Sequence, residues 1–353
     1  MTSYRRATSA VLVLGFAQAA CAAVTVDLAP LRPAVGRGDD VQVRVTLTNT
    51  SSVAQHVLRW RTPQGGVEAP LFEVRRDGAP VRYLGIQVKR APPTAADYLR
   101  LAPNASVTQT VELSALYEMN VTGAYTVRYH SPAAPQGPAA MQAVAGELTS
   151  APVSIWVEGR LPRGSKSAPA AATAASPGLA FSKCSNAQQE QLAAAVDAGR
   201  AMAADSHAYL ATRQPYGARY LTWFGAQDGQ RGAQDGQRSA QVGASFTAIK
   251  DAFETRPLRI DCGCNAPYYA YVYPAQPYTV YVCKAFWGAP LTGTDSRGGT
   301  LVHELSHFDV VAGTDDHVYG QSGAAELART APARAVDNAD SYEYFGENTP
   351  PLQ

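Results

Sequence analysis

The chain has 353 residues, enough for more than one cored domain, and its formal charge of +1 is close to neutral. A nucleic-acid-binding protein usually presents a basic face, so this balance argues against one. The predicted elements begin with Arg5 and Arg6, followed by the apolar run AVLVLGFA and the small-residue stretch AQAACAAV. A positive start, a short apolar middle and a small-residue end predict a secretory signal peptide over residues 1–23. The apolar run is too short to span a bilayer, so an exported protein without a stable membrane anchor is expected.

Residues 24–158 alternate apolar and polar side chains, and DVQVRVTLTN puts Val41, Val43, Val45 and Leu47 on one face. Similar runs recur at HVLRW, LFEVRR, VRYLGI, VTQTVEL, AYTVRY and PVSIWV, separated by Gly, Pro, Asn and Asp turns. Short alternating strands at this spacing predict an all-β sandwich of immunoglobulin-like type. The segment holds no cluster of His, Cys and carboxylates, so its expected role is packing or masking. Residues 159–182 are rich in Ala, Pro, Ser and Gly and predict a flexible, protease-accessible linker.

Residues 183–353 carry mixed signals and predict an α+β domain. Ser185 or Asn186 can cap a long Ala-rich helix. Val242, Phe246, Ile249 and Phe253 fall on one face of another. Between them GAQDGQR occurs twice in tandem and reads as a loop insertion. APYYAYVYPAQPYTVYVCK alternates about a Pro-containing turn and predicts a β-hairpin whose edge can pair with an extended peptide. With Cys21 removed in the signal peptide, Cys184, Cys262, Cys264 and Cys283 remain. An even number in an exported protein suggests two disulfides. Cysteines as close as those in CGC pair poorly with each other, so Cys184–Cys262 and Cys264–Cys283 are expected, although other pairings are open.

The window GGTLVHELSHFDVVAGTDDHVYG holds three of the six histidines. His303, Glu304 and His307 form HExxH, and side chains four apart on a helix share a face. Both imidazoles can then reach one zinc ion, with Glu304 as the base that takes a proton from water. Asp295 or Ser296 can cap this helix, and Gly313 can end it and turn the chain back. Asp315, Asp316 and His317 are then all candidates for the third ligand.

HELSH followed by GTDDHVYG resembles the aspzincin metallopeptidases, the deuterolysin and peptidyl-lysine metalloendopeptidase group. The resemblance covers roughly residues 183–353 and includes RYLTWFG and the four cysteines. It implies a zincin-like catalytic domain with one catalytic zinc ion, Asp316 as third ligand and Tyr319 stabilising the oxyanion. NADSYEYF resembles the acidic pocket of the lysine-specific members, which implies Asp340 and Glu343 as substrate-binding carboxylates. The N-terminal sandwich resembles the pro-domain of bacterial exported toxin-like members.

The expected function is a secreted zinc endopeptidase, made as a monomeric zymogen, that cuts proteins or peptides before lysine. The rival reading is an exported β-sandwich binding protein with a structural zinc and no turnover. Only five lysines stand against twenty-five arginines, and two of the five, Lys166 and Lys183, lie in or just after the linker. Cleavage before either would release an inhibitory pro-domain and leave all four cysteines in the mature part.

Overall fold

A computed structural model of the chain describes residues 22–133, 143–166, 178–212, 216–226 and 232–353. Residues 1–21 of the expected signal peptide and 167–177 of the expected linker lie outside the described residues. The N-terminal half is built of β1 (Val24–Pro30), β2 (Ala34–Val35), β3 (Gln42–Asn49), β4 (Gln55–Leu58), β5 (Phe72–Arg76) and β6 (Ala79–Pro80). It continues with β7 (Gln87–Lys89), β8 (Tyr98–Leu101), β9 (Ser106–Glu112), β10 (Gly123–Ser131), β11 (Leu148–Thr149) and β12 (Val153–Val157).

One sheet has the order β1-β3-β9 and a second the order β2-β12-β10-β5-β6, while β4 and β8 form a separate ribbon. The alternation in the sequence sets what each sheet buries. Val43, Val45 and Leu47 of β3 join Val74, Tyr125, Val127 and Ile155 of the second sheet in one apolar cluster. Each fully buried aliphatic side chain contributes about 1.5–3 kcal/mol of transfer free energy. VRYLGI departs from its expected place as a strand of this half. Tyr83 makes one isolated bridge to Tyr117, Gly85 interrupts the alternation, and the chain leaves as β7 to find its ladder partner in the other half.

The C-terminal half runs β13 (Gly178–Ser182), α1 (Asn186–Thr212), α2 (Ala218–Phe224), α3 (Gly232–Thr255), β14 (Pro257–Asp261), β15 (Ala270–Val272) and β16 (Thr279–Val282). Then follow α4 (Lys284–Gly288), α5 (Arg297–His307), α6 (Gln321–Thr330), α7 (Pro332–Ala335) and α8 (Ala339–Glu347). Its sheet has the order β13-β14-β16-β15-β7, with the first three strands parallel and the last two antiparallel to their neighbours. The predicted hairpin is β15–β16, and its free edge takes β7.

Two expectations shift. Residues 178–182 were expected within the linker, but their apolar Leu179 and Phe181 pack on the C-terminal core as β13. The second GAQDGQR copy is not a loop, because its residues open α3. Asp235 in that first turn pairs with Arg238, an acid near a helix N-terminus and a base one turn on. Among the described residues no helix is long and apolar enough to cross a membrane.

The disulfides are Cys184–Cys262 and Cys264–Cys283. Ser185 caps α1 reciprocally: Gln188 N–H donates to Ser185 Oγ at 3.3 Å, and Ser185 N–H donates to Gln188 Oε1 at 2.9 Å. Val242, Phe246, Ile249 and Phe253 all enter the C-terminal core together with Leu301, Val302 and Leu305 of α5. That packing fixes the helix that carries the histidines.

Candidate active site

Ser296 is the N-cap of α5, with its Oγ accepting from Gly299 N–H at 2.9 Å. His303, Glu304 and His307 on α5 are all fully buried. The helix ends earlier than expected, with Phe308 as its C-cap, and Gly313 takes φ +61° in the turn that follows. That turn returns the chain so that Thr314 N–H donates to Ser306 carbonyl at 3.2 Å and Asp315 N–H to Asp337 carbonyl at 2.8 Å. Asp316 is thereby delivered to the two imidazoles.

His307 Nδ1 lies 2.7 Å from the Thr314 carbonyl, which can only accept, so Nδ1 carries the hydrogen and Nε2 is left with its lone pair. His303 Nδ1 lies 2.9 Å from Asp340 Oδ1, a carboxylate that favours the hydrogen on that nitrogen rather than on Nε2. The two Nε2 atoms are 3.0 Å apart, and Asp316 Oδ1 is 3.2 Å from one and 3.5 Å from the other. Three ligands around a tetrahedral zinc, with bonds of about 2.0–2.1 Å, sit roughly 3.3 Å from one another. The donor set therefore fits zinc in both chemistry and spacing. Burial would raise the Asp316 carboxyl, but His307 and His303 outweigh it and hold the group well below the usual range. Burial pushes Glu304 up to about 7, with His303 and His307 pulling the other way. Neither Glu304 oxygen has a hydrogen-bond partner, so this buried carboxylate is available to a reacting group.

A pocket beside this triangle is occupied by the chain itself. Lys89 of β7 is fully buried, its Nζ 2.7 Å from Glu343 Oε2, 2.8 Å from Asp340 Oδ1 and 3.4 Å from Asp295 Oδ1. The Tyr344 ring lies 5.1 Å from the ammonium, and the Tyr344 hydroxyl donates to Asp295 at 2.7 Å. Burial disfavours the charge, but Asp340 and Glu343 hold the Lys89 pKa well above its ordinary value. The preceding carbonyl, Val88 O, accepts from Tyr319 Oη at 2.9 Å. Val88 N–H donates to Asp316 Oδ2 at 3.2 Å.

The residues predicted from sequence thus meet in one place: His303, Glu304, His307, Asp316, Tyr319, Asp340 and Glu343. Asp315 turns away to accept from Gln87 Nε2 at 2.6 Å, and His317 Nε2 lies 3.0 Å from Asp337. Three participants were not singled out: Lys89 as pocket occupant, Asp295 as a third carboxylate, and Thr314 as the orienter of His307. Lys89 left one trace in the sequence, since it is the single lysine in residues 24–158. Asp295 and Thr314 act through turns that no residue pattern announces.

The chain is similar to several known proteins. The family model described as lysine-specific metallo-endopeptidase, of the aspzincin type, matches residues 208–347. An extracellular protease of Aeromonas hydrophila is 48% identical over 319 residues, covering 89% of this chain and 90% of that protein. A peptidyl-Lys metalloendopeptidase of Grifola frondosa is 34% identical over 337 residues, covering 90% of each. The solved zinc peptidase from Grifola frondosa is 44% identical and covers 48% of this chain and 100% of its own, with a TM-score of 0.45. With relatives matched over nine-tenths of their length and a zinc-shaped HExxH site closed by Asp316, the chain belongs to the aspzincin metalloendopeptidases.

Proposed function

We propose that the protein is an exported zymogen whose mature form hydrolyses peptide bonds on the N-terminal side of lysine. The observation that carries this reading is Lys89, whose ammonium lies between Asp340 and Glu343 while Tyr319 donates to the carbonyl just before it. A lysine peptide entering the cleft would make the same contacts. Lysine suits a buried pair of carboxylates as a compact charge on a thin stem, whereas arginine needs a wider planar slot.

His303, His307 and Asp316 would hold zinc, which supplies Lewis-acid activation of the carbonyl and of water when bound. Glu304 takes a proton from the attacking water and passes it to the leaving amine. The Tyr319 hydroxyl stabilises the oxygen on which negative charge develops. A purely structural zinc would be closed by four protein ligands. Here three donor atoms converge and the unpartnered Glu304 stands beside them, which favours turnover over a binding module.

Residues 24–158 act in this reading as an immunoglobulin-like pro-domain that fills the cleft, and residues 183–353 as the catalytic domain. Lys166 is exposed and is the favoured processing site in the linker. Lys183 is also exposed, but the carbonyl before it accepts from Cys262 N–H at 2.9 Å within the sheet, which hinders cutting there. Export is supported by the signal-like start and by the extracellular name of the Aeromonas relative.

The ligand assignment is tested by metal analysis of purified variants. Asp316→Ala should lose zinc and activity, whereas Asp315→Ala should retain the metal. The reverse pattern would overturn the assignment.

A further inference from the structure

We propose that the Val88–Lys89 bond is itself a substrate, hydrolysed by the enzyme within its own chain, and that this nick opens the mask. The inference rests on the endopeptidase reading above and adds a cleavage site outside the linker. β7 lies on the free edge of the catalytic sheet in antiparallel register, Val88 opposite Tyr271 and Lys89 opposite Ala270. Edge pairing of this kind is how an extended peptide is held in a cleft. The backbone is gripped on both sides of the bond. Tyr319 donates to the Val88 carbonyl at 2.9 Å, and the Lys89 carbonyl accepts from Tyr269 N–H at 3.1 Å.

The flanking side chains fix the register further. Gln87 donates to Asp315 at 2.6 Å. Arg90 pairs with Glu68 at 2.5 Å, its guanidinium 4.4 Å from the Tyr268 ring and 5.1 Å from the Trp60 ring. A cavity of about 570 Å³ between the halves is lined by Asp316 and Tyr319, two of the residues that hold Val88. Among the residues that could key the pocket from the N-terminal half, Lys89 is the single lysine.

Cutting the linker breaks none of these contacts, so the pro-domain would stay seated with Lys89 in the pocket. Cutting after Val88 parts the covalent chain between them, so each side of β7 can leave separately. One water adds to the Val88 carbonyl carbon and the bond to the Lys89 nitrogen breaks. The two protons of that water pass in turn through Glu304 to the nitrogen, which leaves as an ammonium group, and Val88 is left with a carboxylate. The new carboxylate and ammonium would arise at fully buried positions, where charged groups without partners are costly to keep from water. The two strand ends are also free to part.

The test uses full-length protein carrying Lys166→Ala and Lys183→Ala, both at exposed positions, so that the linker lacks its lysines. The protein is purified without zinc, supplied with zinc, and sampled by intact mass spectrometry after denaturation and reduction. The proposal expects two fragments separated between residues 88 and 89, summing to the intact mass plus one water. Their half-time should be unchanged on about tenfold dilution, as an intramolecular step requires. The same chain with Glu304→Gln should stay whole. An uncut Val88–Lys89 bond, while wild-type protein opens its linker and hydrolyses an added lysine peptide, would overturn the proposal alone. If wild-type protein hydrolyses no lysine bond at all, the endopeptidase reading falls with it.

Discussion

Glu304→Gln should lower peptidase activity by about 10²–10⁴-fold, the range for losing a positioned general base, while the protein keeps its zinc. The substitution preserves volume in a fully buried position and leaves His303, His307 and Asp316 in place. What disappears is the group proposed to accept the water proton. Neither Glu304 oxygen is engaged in holding the fold, so the amide breaks no existing hydrogen bond. Metal content and kcat, measured after an added protease has removed the N-terminal half from wild-type and variant protein alike, check this. Loss of zinc together with activity would mean that Glu304 is a ligand or a support for one.

Glu343→Gln should weaken the preference for lysine by about 10²-fold in kcat/KM, corresponding to ~3 kcal/mol for breaking a buried charge pair. The pocket keeps its shape and loses one of the two carboxylates nearest the ammonium. Asp340 is the less clean probe. Its Oδ1 also lies 2.9 Å from His303 Nδ1, and its Oδ2 accepts from Gly320 N–H at 2.6 Å. Asp340→Ala should therefore lower zinc affinity about 10–100-fold, as losing the partner of a metal-ligating histidine does, besides relaxing specificity. Profiles of peptides with lysine, arginine or leucine after the cut bond separate the two effects. An unchanged lysine preference in Glu343→Gln would remove that carboxylate from the pocket.

Much of the site was legible because short-range patterns encode it. HExxH works through the helix period, and Gly313 with Asp316 follows within one turn of chain. The hairpin β15–β16 and the apolar face of α3 were readable from periods of two and 3.6. What escaped detection depends on long-range pairing. VRYLGIQVKR looks like any other strand of the N-terminal half. Nothing local says that Gln87–Lys89 crosses to the other sheet, because that choice lies in the free edge of β15 some 180 residues away. The second GAQDGQR copy misled because its glycines signal a turn, while its Ala, Gln and Arg propagate a helix once α3 packs. Asp295 reached the pocket from a turn with φ +51°, a placement that composition does not reveal.

The proposed function is zinc-dependent cutting of peptide bonds on the N-terminal side of lysine. It is tested most directly by incubating the matured protein with a denatured protein mixture and reading the fragment N-termini by mass spectrometry, with and without a chelator. The account predicts new N-termini dominated by lysine, abolished by the chelator and restored by zinc. New N-termini spread over other residues, or cutting that survives the chelator, would contradict it.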